Sequence, residues 1–176
     1  MASLPFLALR GVNVFADGLN AGITNTGAKI PFPSESGESV TFGGTRGAIE
    51  IITSTEACEL TFSTKGVQPE ILAQFASGFG TRKTYTVLGA LVDEYADTPA
   101  KRSVQATATI IGRLSADVEK WEGGALPGSE FTIKSVTKYV LNIGGLEVCR
   151  YDLLRGGWLD AAGLQLDIAN TIGLNA

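Results

Sequence analysis

The sequence predicts a mainly β fold: a β-sandwich or partial barrel with one packed α-helix. Three observations carry this. First, Val104–Leu114 alternates, with Val104, Ala106, Ala108, Ile110 and Leu114 on one parity and Gln105, Thr107, Thr109 and Arg113 on the other. Period two sends these sets to opposite faces of a strand, one into a core and one toward water. Second, such segments are separated by clusters that tolerate positive φ, notably Asp17-Gly18 and Asn142-Ile143-Gly144-Gly145. Third, one stretch has helical spacing: Ile71, Leu72, Phe75 and Phe79 form an apolar stripe over Pro69–Phe79. Pro69 suits a first turn, and Glu70 suits the positive end of the helix dipole. Gly80 can close the helix, with Arg82 and Lys83 just past its negative end.

In chain order, Leu4–Phe15 reads as a strand that stops at the Asp17-Gly18 turn. Leu19–Gly47 is long, polar and turn-rich, with Pro31, Pro33 and glycines at 43, 44 and 47. A stretch this long in a compact domain is functional or holds structure of its own. Strand fragments and an arm over about 17–47 that reaches a neighbouring subunit are expected. Ala48–Ser63 reads as one long strand. Ile49 and Ile51 share one parity and Cys58, Leu60 and Phe62 the other, so a bulge is expected near Ser54–Glu56. Thr84–Tyr95 is apolar on both parities and predicts a strand buried on both sides. Residues 97–101, with Pro99, form a turn, and Ser115–Ser129 is a polar loop that contacts a neighbouring subunit.

Phe131–Leu154 then reads as a central hairpin. Phe131, Ile133, Tyr139 and Leu141 share its dry face, while Lys134, Val136, Lys138 and Val140 lie on the other. Its second arm is shorter and apolar on both faces. After Gly156-Gly157, Leu159, Ala162, Leu166 and Ala169 recur at helical spacing, with Gly163 against a helix. This C-terminal segment, about 156–176, is a short helix or a docking arm.

At 176 residues the chain is expected to form a single domain, 1–176. Only 18% of residues are charged against 44% hydrophobic, so much of the outside is expected to be covered by other subunits. Net charge is −4, which lacks the basic footprint of a nucleic-acid-binding module. No apolar run reaches the roughly 18 residues of a membrane span. The N-terminal stretch has Arg10 inside its apolar part and is not read as a signal peptide.

Histidine is absent, which removes the Ser-His-Asp triad and His-containing metal sites. Cys58 and Cys149 cannot form a CxxC site; they are two buried thiols or a possible disulfide. Carboxylates are scattered, since Asp93 and Glu94 point to opposite faces of a strand and Glu119 and Glu122 sit in a glycine-rich loop. Gly43-Gly44-Thr45-Arg46-Gly47 lacks the P-loop Lys-Ser/Thr and precedes a strand. No catalytic, cofactor or metal site is predicted, and the chain is not read as an enzyme. Trp121 and Trp158, each beside a Gly-Gly step, and Phe42 are the candidate subunit-interface residues.

A set of short motifs, in order along the chain, resembles one family. Leu4-Pro5 with Asn13-Val14-Phe15 and Asp17-Gly18 stands at its start, followed by Phe42-Gly43-Gly44, Gly47 and Ile49-Glu50. Lys138-Tyr139-Val140-Leu141 with Gly145-Leu146-Glu147-Val148 and Asp152 follows, then Asp160 and Ile172-Gly173-Leu174. Together they resemble the major tail tube protein of contractile-tailed bacteriophages and phage-derived bacteriocins. The resemblance implies homohexameric rings stacked into an inner tail tube within a contractile sheath. Strands of all subunits would then join one multi-subunit β-barrel around a channel that conducts DNA during ejection.

The implied partners are further copies of the chain, the tail sheath protein, baseplate and tail terminator proteins, and genomic DNA that passes without specific binding. The implied place is the virion tail, assembled in the bacterial host cytoplasm. A barrel of roughly 16 to 18 strands leaves only an aqueous channel, so several copies are needed for a bore that admits duplex DNA. Candidate lumen residues are Glu50, Gln105, Thr107 and Thr109; Lys134 and Lys138 are expected on the outer wall or paired with Glu50 or Glu59. The alternatives are a bacteriocin or type VI-like tube, and a monomeric carbohydrate-binding β-sandwich with exposed aromatics on a concave sheet.

Overall fold

The computed structural model describes residues 6–41, 47–77, 80–95, 103–120 and 122–159. It is mainly β with one helix, and its sheets do not close into a barrel. The strands are β1 (Leu7–Ala16), β2 (Leu19–Asn20), β3 (Asn25–Lys29), β4 (Glu35–Thr41), β5 (Ala48–Thr55) and β6 (Leu60–Lys65). Helix α1 (Pro69–Ser77) follows, then β7 (Lys83–Asp93), β8 (Ser103–Val118), β9 (Gly128–Ile143), β10 (Leu146–Asp152) and β11 (Gly157–Leu159). The main sheet runs β11-β10-β9-β8-β7-β1-β2, with β6 paired to β9 and β3 to β6. β4 and β5 pair only with each other, in a separate two-stranded sheet.

Two turns form where the sequence places them. Asp17 and Gly18 have φ of 51° and 88°, and Gly144 and Gly145 have 61° and 82°. Positive φ at both central residues is the hairpin geometry that matches strand twist. The long β9 is the hub. Residues 128–133 pair with β6 and residues 138–143 with β10, on the same edge of the strand. Between these halves the strand bulges. Ile111 faces Lys138 and Arg113 faces Lys134, so three residues of β9 oppose Gly112 alone. Ser135 takes φ 51° there.

The core is the inner face of this sheet. Phe131, Ile133, Tyr139 and Leu141 are all buried, as the alternation predicts. Phe62 stacks on Phe131 with ring centroids 5.0 Å apart. Tyr85, Val87, Ala108 and Ile110 continue the face, and α1 lays Ile71 on it with Leu72 and Phe75 beside.

Several expectations are corrected. Val136, expected on the wet face, is buried, because the bulge shifts parity at Ser135 and back by Tyr139. Ala48–Ser63 is two strands in different sheets, not one bulged strand; the chain leaves β5 at Thr55 and enters the main sheet at Leu60. β7 is buried on one face only, through Tyr85, Val87 and Gly89, while Thr84 and Ala90 are exposed, because a single layer covers it. β8 and β9 extend into the predicted 115–129 loop and leave only 119–127 as connection. The second hairpin arm is not core on both faces, since Leu146 and Val148 are exposed.

Candidate functional site

Cross-strand register assembles the wet face of the main sheet. Asn13, Leu88, Thr107 and Asn142 stand in one row across β1, β7, β8 and β9, and Phe15, Thr86, Thr109 and Val140 in the next. Gly11, Ala90 and Gln105 extend it. None of these side chains is charged. The first charges stand at the margins. On β10 the same two rows continue to Glu147, opposite Asn142, and Arg150, opposite Val140, which pair with each other at 2.6 Å. Lys138 faces Asp152 in the row beyond Val140, and Lys83 pairs with Asp17 at 3.0 Å. Thr107 and Thr109 are half-buried and Gln105 is exposed. The patch offers hydroxyls, amides and aliphatic groups and no fixed charge. It can face a polyanion without gripping it.

The edges of this sheet are open among the described residues. β2 covers only the Phe15–Ala16 end of β1, and β11 covers only Arg150–Asp152 of β10. On β1 the Val14 carbonyl accepts from the Ala21 N–H and the Val12 carbonyl from Asn25 Nδ2, so the open edge is Leu7–Gly11. There and on the far stretch of β10 no described strand pairs with the outer backbone edge, the feature by which strands recruit another chain. At one such margin Phe6 and Tyr95 pack edge to face at 5.9 Å, with Tyr95 80% exposed.

The β4–β5 hairpin shows the same incompleteness. Val40, Glu38, Ile49 and Ile51 share one of its faces by register, and both isoleucines are exposed. An isolated two-stranded hairpin is at best marginally stable in water. Glu50 lies on the opposite face of this hairpin, paired in register with Ser39. The structure therefore brings together Gln105, Thr107 and Thr109 but leaves Glu50 outside their sheet. Lys134 stands opposite Arg113, and neither lysine shares a strand pair with Glu50 or Glu59.

Phe42 and Trp121 lie outside the described residues. Trp158, expected at a subunit interface, is 3% exposed within its own chain, T-shaped against Tyr139 at 5.7 Å and Tyr151 at 5.4 Å. Strand β11 turns it inward. Cys58 and Cys149 are free thiols packed on the same core. Burial pushes the Cys58 thiol up from 9.0 to about 12, with Cys149 and Glu59 adding to the rise. Burial likewise raises Cys149, opposed by a hydrogen bond with Tyr139. Neither is a reactive thiolate. No cluster of three metal-ligating side chains occurs among the described residues.

Sequence reasoning placed Val140 and Asn142 on the wet face of the hairpin but did not join them to Thr107 and Thr109, and it missed Phe15, Thr86 and Leu88. Their grouping depends on register between strands, which period-two patterning within one strand does not carry.

No curated protein matches the chain. Among solved structures, a chain of the six-fold symmetrised anti-feeding prophage baseplate is similar over 81% of this chain and 94% of its own, at 11% identity and a TM-score of 0.44. Residues 7–156 match the family described as phage tail tube protein FII, which covers every strand from β1 to β10. With that match spanning most of its length, the chain belongs to the phage tail tube protein FII family.

Proposed function

We propose that this structural protein of the tail tube family assembles as homohexameric rings, stacked into the inner tube of a contractile phage tail, and that its uncharged wet face lines the bore. The observation that carries the reading is that face: four adjacent strands, β1, β7, β8 and β9, without a charged side chain in their central rows. With β10 beside them, whose Glu147 and Arg150 offset each other as an ion pair, five strands from each of six copies make a wall of about 30, beyond the roughly 16 to 18 at which barrels enclose an aqueous channel. The open edges of β1 and β10 supply the ring contacts, and closure removes them as edges. Duplex DNA carries about one charge per 1.7 Å of axis, so a neutral wall lets it slide during ejection.

Of the arm expected over about 17–47, β2 and β3 join the main sheet of their own chain, and the part that reaches a neighbouring subunit is β4 with β5, Ile49 and Ile51 outward; the 119–127 connection contacts another. Phe42 and Trp121 are the further interface residues this proposal expects. Sheath, baseplate and tail terminator proteins are the further partners, DNA passes without specific binding, and the chain acts in the virion tail after assembly in the host cytoplasm. No catalysis is assigned to it.

The test is electron microscopy of the purified protein, with Thr107→Cys labelled after assembly. Hollow six-fold tubes are expected, in which Thr107→Cys reacts with a small maleimide and resists a large polymer-linked one. Equal labelling by both reagents would remove the wet face from the bore, and a monomer at all concentrations would remove the tube.

A further inference from the structure

Among the described residues, the core face of the main sheet does not end where its cover ends. At the end carrying the Gly144-Gly145 turn, Leu9, Leu91 and Val104 stand in one inward row, and Ile143 pairs in register with Leu146 beside them. Leu9 belongs to this face: a Cβ on inward-facing Gly89 would lie 3.3 Å from its Cδ1. Yet Leu9 is 58% and Leu146 71% exposed, and Leu91, Val104 and Ile143 are half-buried. Helix α1 and Trp158 cover the other end.

We propose that the chain's own C-terminal segment, residues 160–176, docks on this open stripe and completes the core in cis. The last described strand points there. β11 runs antiparallel to β10, and β10 starts at the Gly144-Gly145 turn, so the chain leaves Leu159 heading toward that turn. Leu159 is level with Thr109 through Arg150 and Val140. The stripe at Val104 is then about 17 Å along the strand and about 14 Å across three strand spacings. Residues 160–176 span about 55 Å extended or about 25 Å as a helix, so either conformation reaches.

The segment also has the right chemistry. Its only charged residues are Asp160 and Asp167, and Leu164, Leu166 and Ile168 alternate with Gln165 and Asp167 to give one apolar side. A tethered segment meets the stripe at an effective concentration of order millimolar, which favours it over a free second copy.

The test uses full-length chain with Leu166→p-benzoylphenylalanine, prepared as a one-to-one mixture of unlabelled and nitrogen-15 protein refolded together, then irradiated. Cross-links to peptides holding Leu9, Leu91, Val104 or Leu146 are expected, without mixed-isotope products. Mixed products in about half of the cross-links would give the stripe to a second copy, and cross-links elsewhere would remove the segment from it. Hydroxyl-radical footprinting of the unmodified protein, diluted to monomer, gives an independent readout. Leu9 and Leu146 are expected to be labelled several-fold less than exposed Ile23 and Leu126. Equal labelling would overturn the proposal whatever the variant does, and neither measurement depends on tube formation.

Discussion

Gly112 is the residue on which the bend of the central strand depends. A Cβ there would lie 2.6 Å from Ile133 Cγ2 and 2.8 Å from the Lys134 carbonyl oxygen, and backbone cannot yield as a flexible side chain can. Gly112→Ala is expected to lower stability by about 1–3 kcal/mol in urea unfolding, the usual cost of overpacking. Gly123→Ala, with nothing within 4 Å of the new atom, is expected to cost far less. Titration follows from the same burial. Cys58 is raised from 9.0 to about 12 and Tyr85 from 10.0 to about 12, each chiefly by burial. Below pH 9 both folded and unfolded chains hold these protons, and the stabilisation is complete. Between pH 9 and 12 the unfolded chain releases them first, so stability falls as pH rises. Urea midpoints measured at pH 7.5 and pH 10.5 are expected to differ, with the alkaline one lower; a flat profile would mean that these groups are hydrated.

Elements differ in how completely their own chain supports them. β8 and β9 pair over almost their whole lengths, and β9 also holds β6 and β10. The β4–β5 hairpin pairs with nothing but itself. Ile49 and Ile51 are exposed on it, so the double change Ile49→Ser and Ile51→Ser removes little burial within one chain. Monomer stability is expected to move by no more than about 0.5 kcal/mol, the range of ordinary surface substitutions. Tube assembly, seen by electron microscopy, is expected to be lost. Intact tubes from the double variant would take the arm out of the subunit contacts. The contrast separates an assembly role from a folding role, because a core residue would move both.

For the whole molecule the deciding property is charge across one face. The central rows of β1, β7, β8 and β9 are neutral although the chain carries 32 charged side chains, 14 basic and 18 acidic. The nearest charges on that face, Glu147 and Arg150, stand next to these rows on β10 and pair with each other, and others such as Lys120 with Glu122 form surface pairs elsewhere. If that face lines a bore, the triple change Gln105→Lys, Thr107→Lys and Thr109→Lys should still assemble but should hold DNA. Retention in co-sedimentation is expected at low salt and should fall steeply as salt rises, because each neutralised phosphate releases counterions. Wild-type tubes are expected to retain little DNA at any salt. A triple variant that behaves like wild type would put the face outside the channel.

The sequence by itself determined the β class, the helix from Pro69, both positive-φ turns and the buried set Phe131, Ile133, Tyr139 and Leu141. Each rests on a period or a local backbone preference that a few adjacent residues carry. The motif order from Asn13-Val14-Phe15 to Asp152 also pointed to the family that the match over residues 7–156 shows. Tertiary structure alone decided the rest. It divided Ala48–Ser63 between two sheets, turned Val136 inward, buried Trp158 and parted Glu50 from Thr107. Which strands neighbour one another, and in what register, is set by packing between segments far apart in sequence, and the pattern within one strand is silent about its partner.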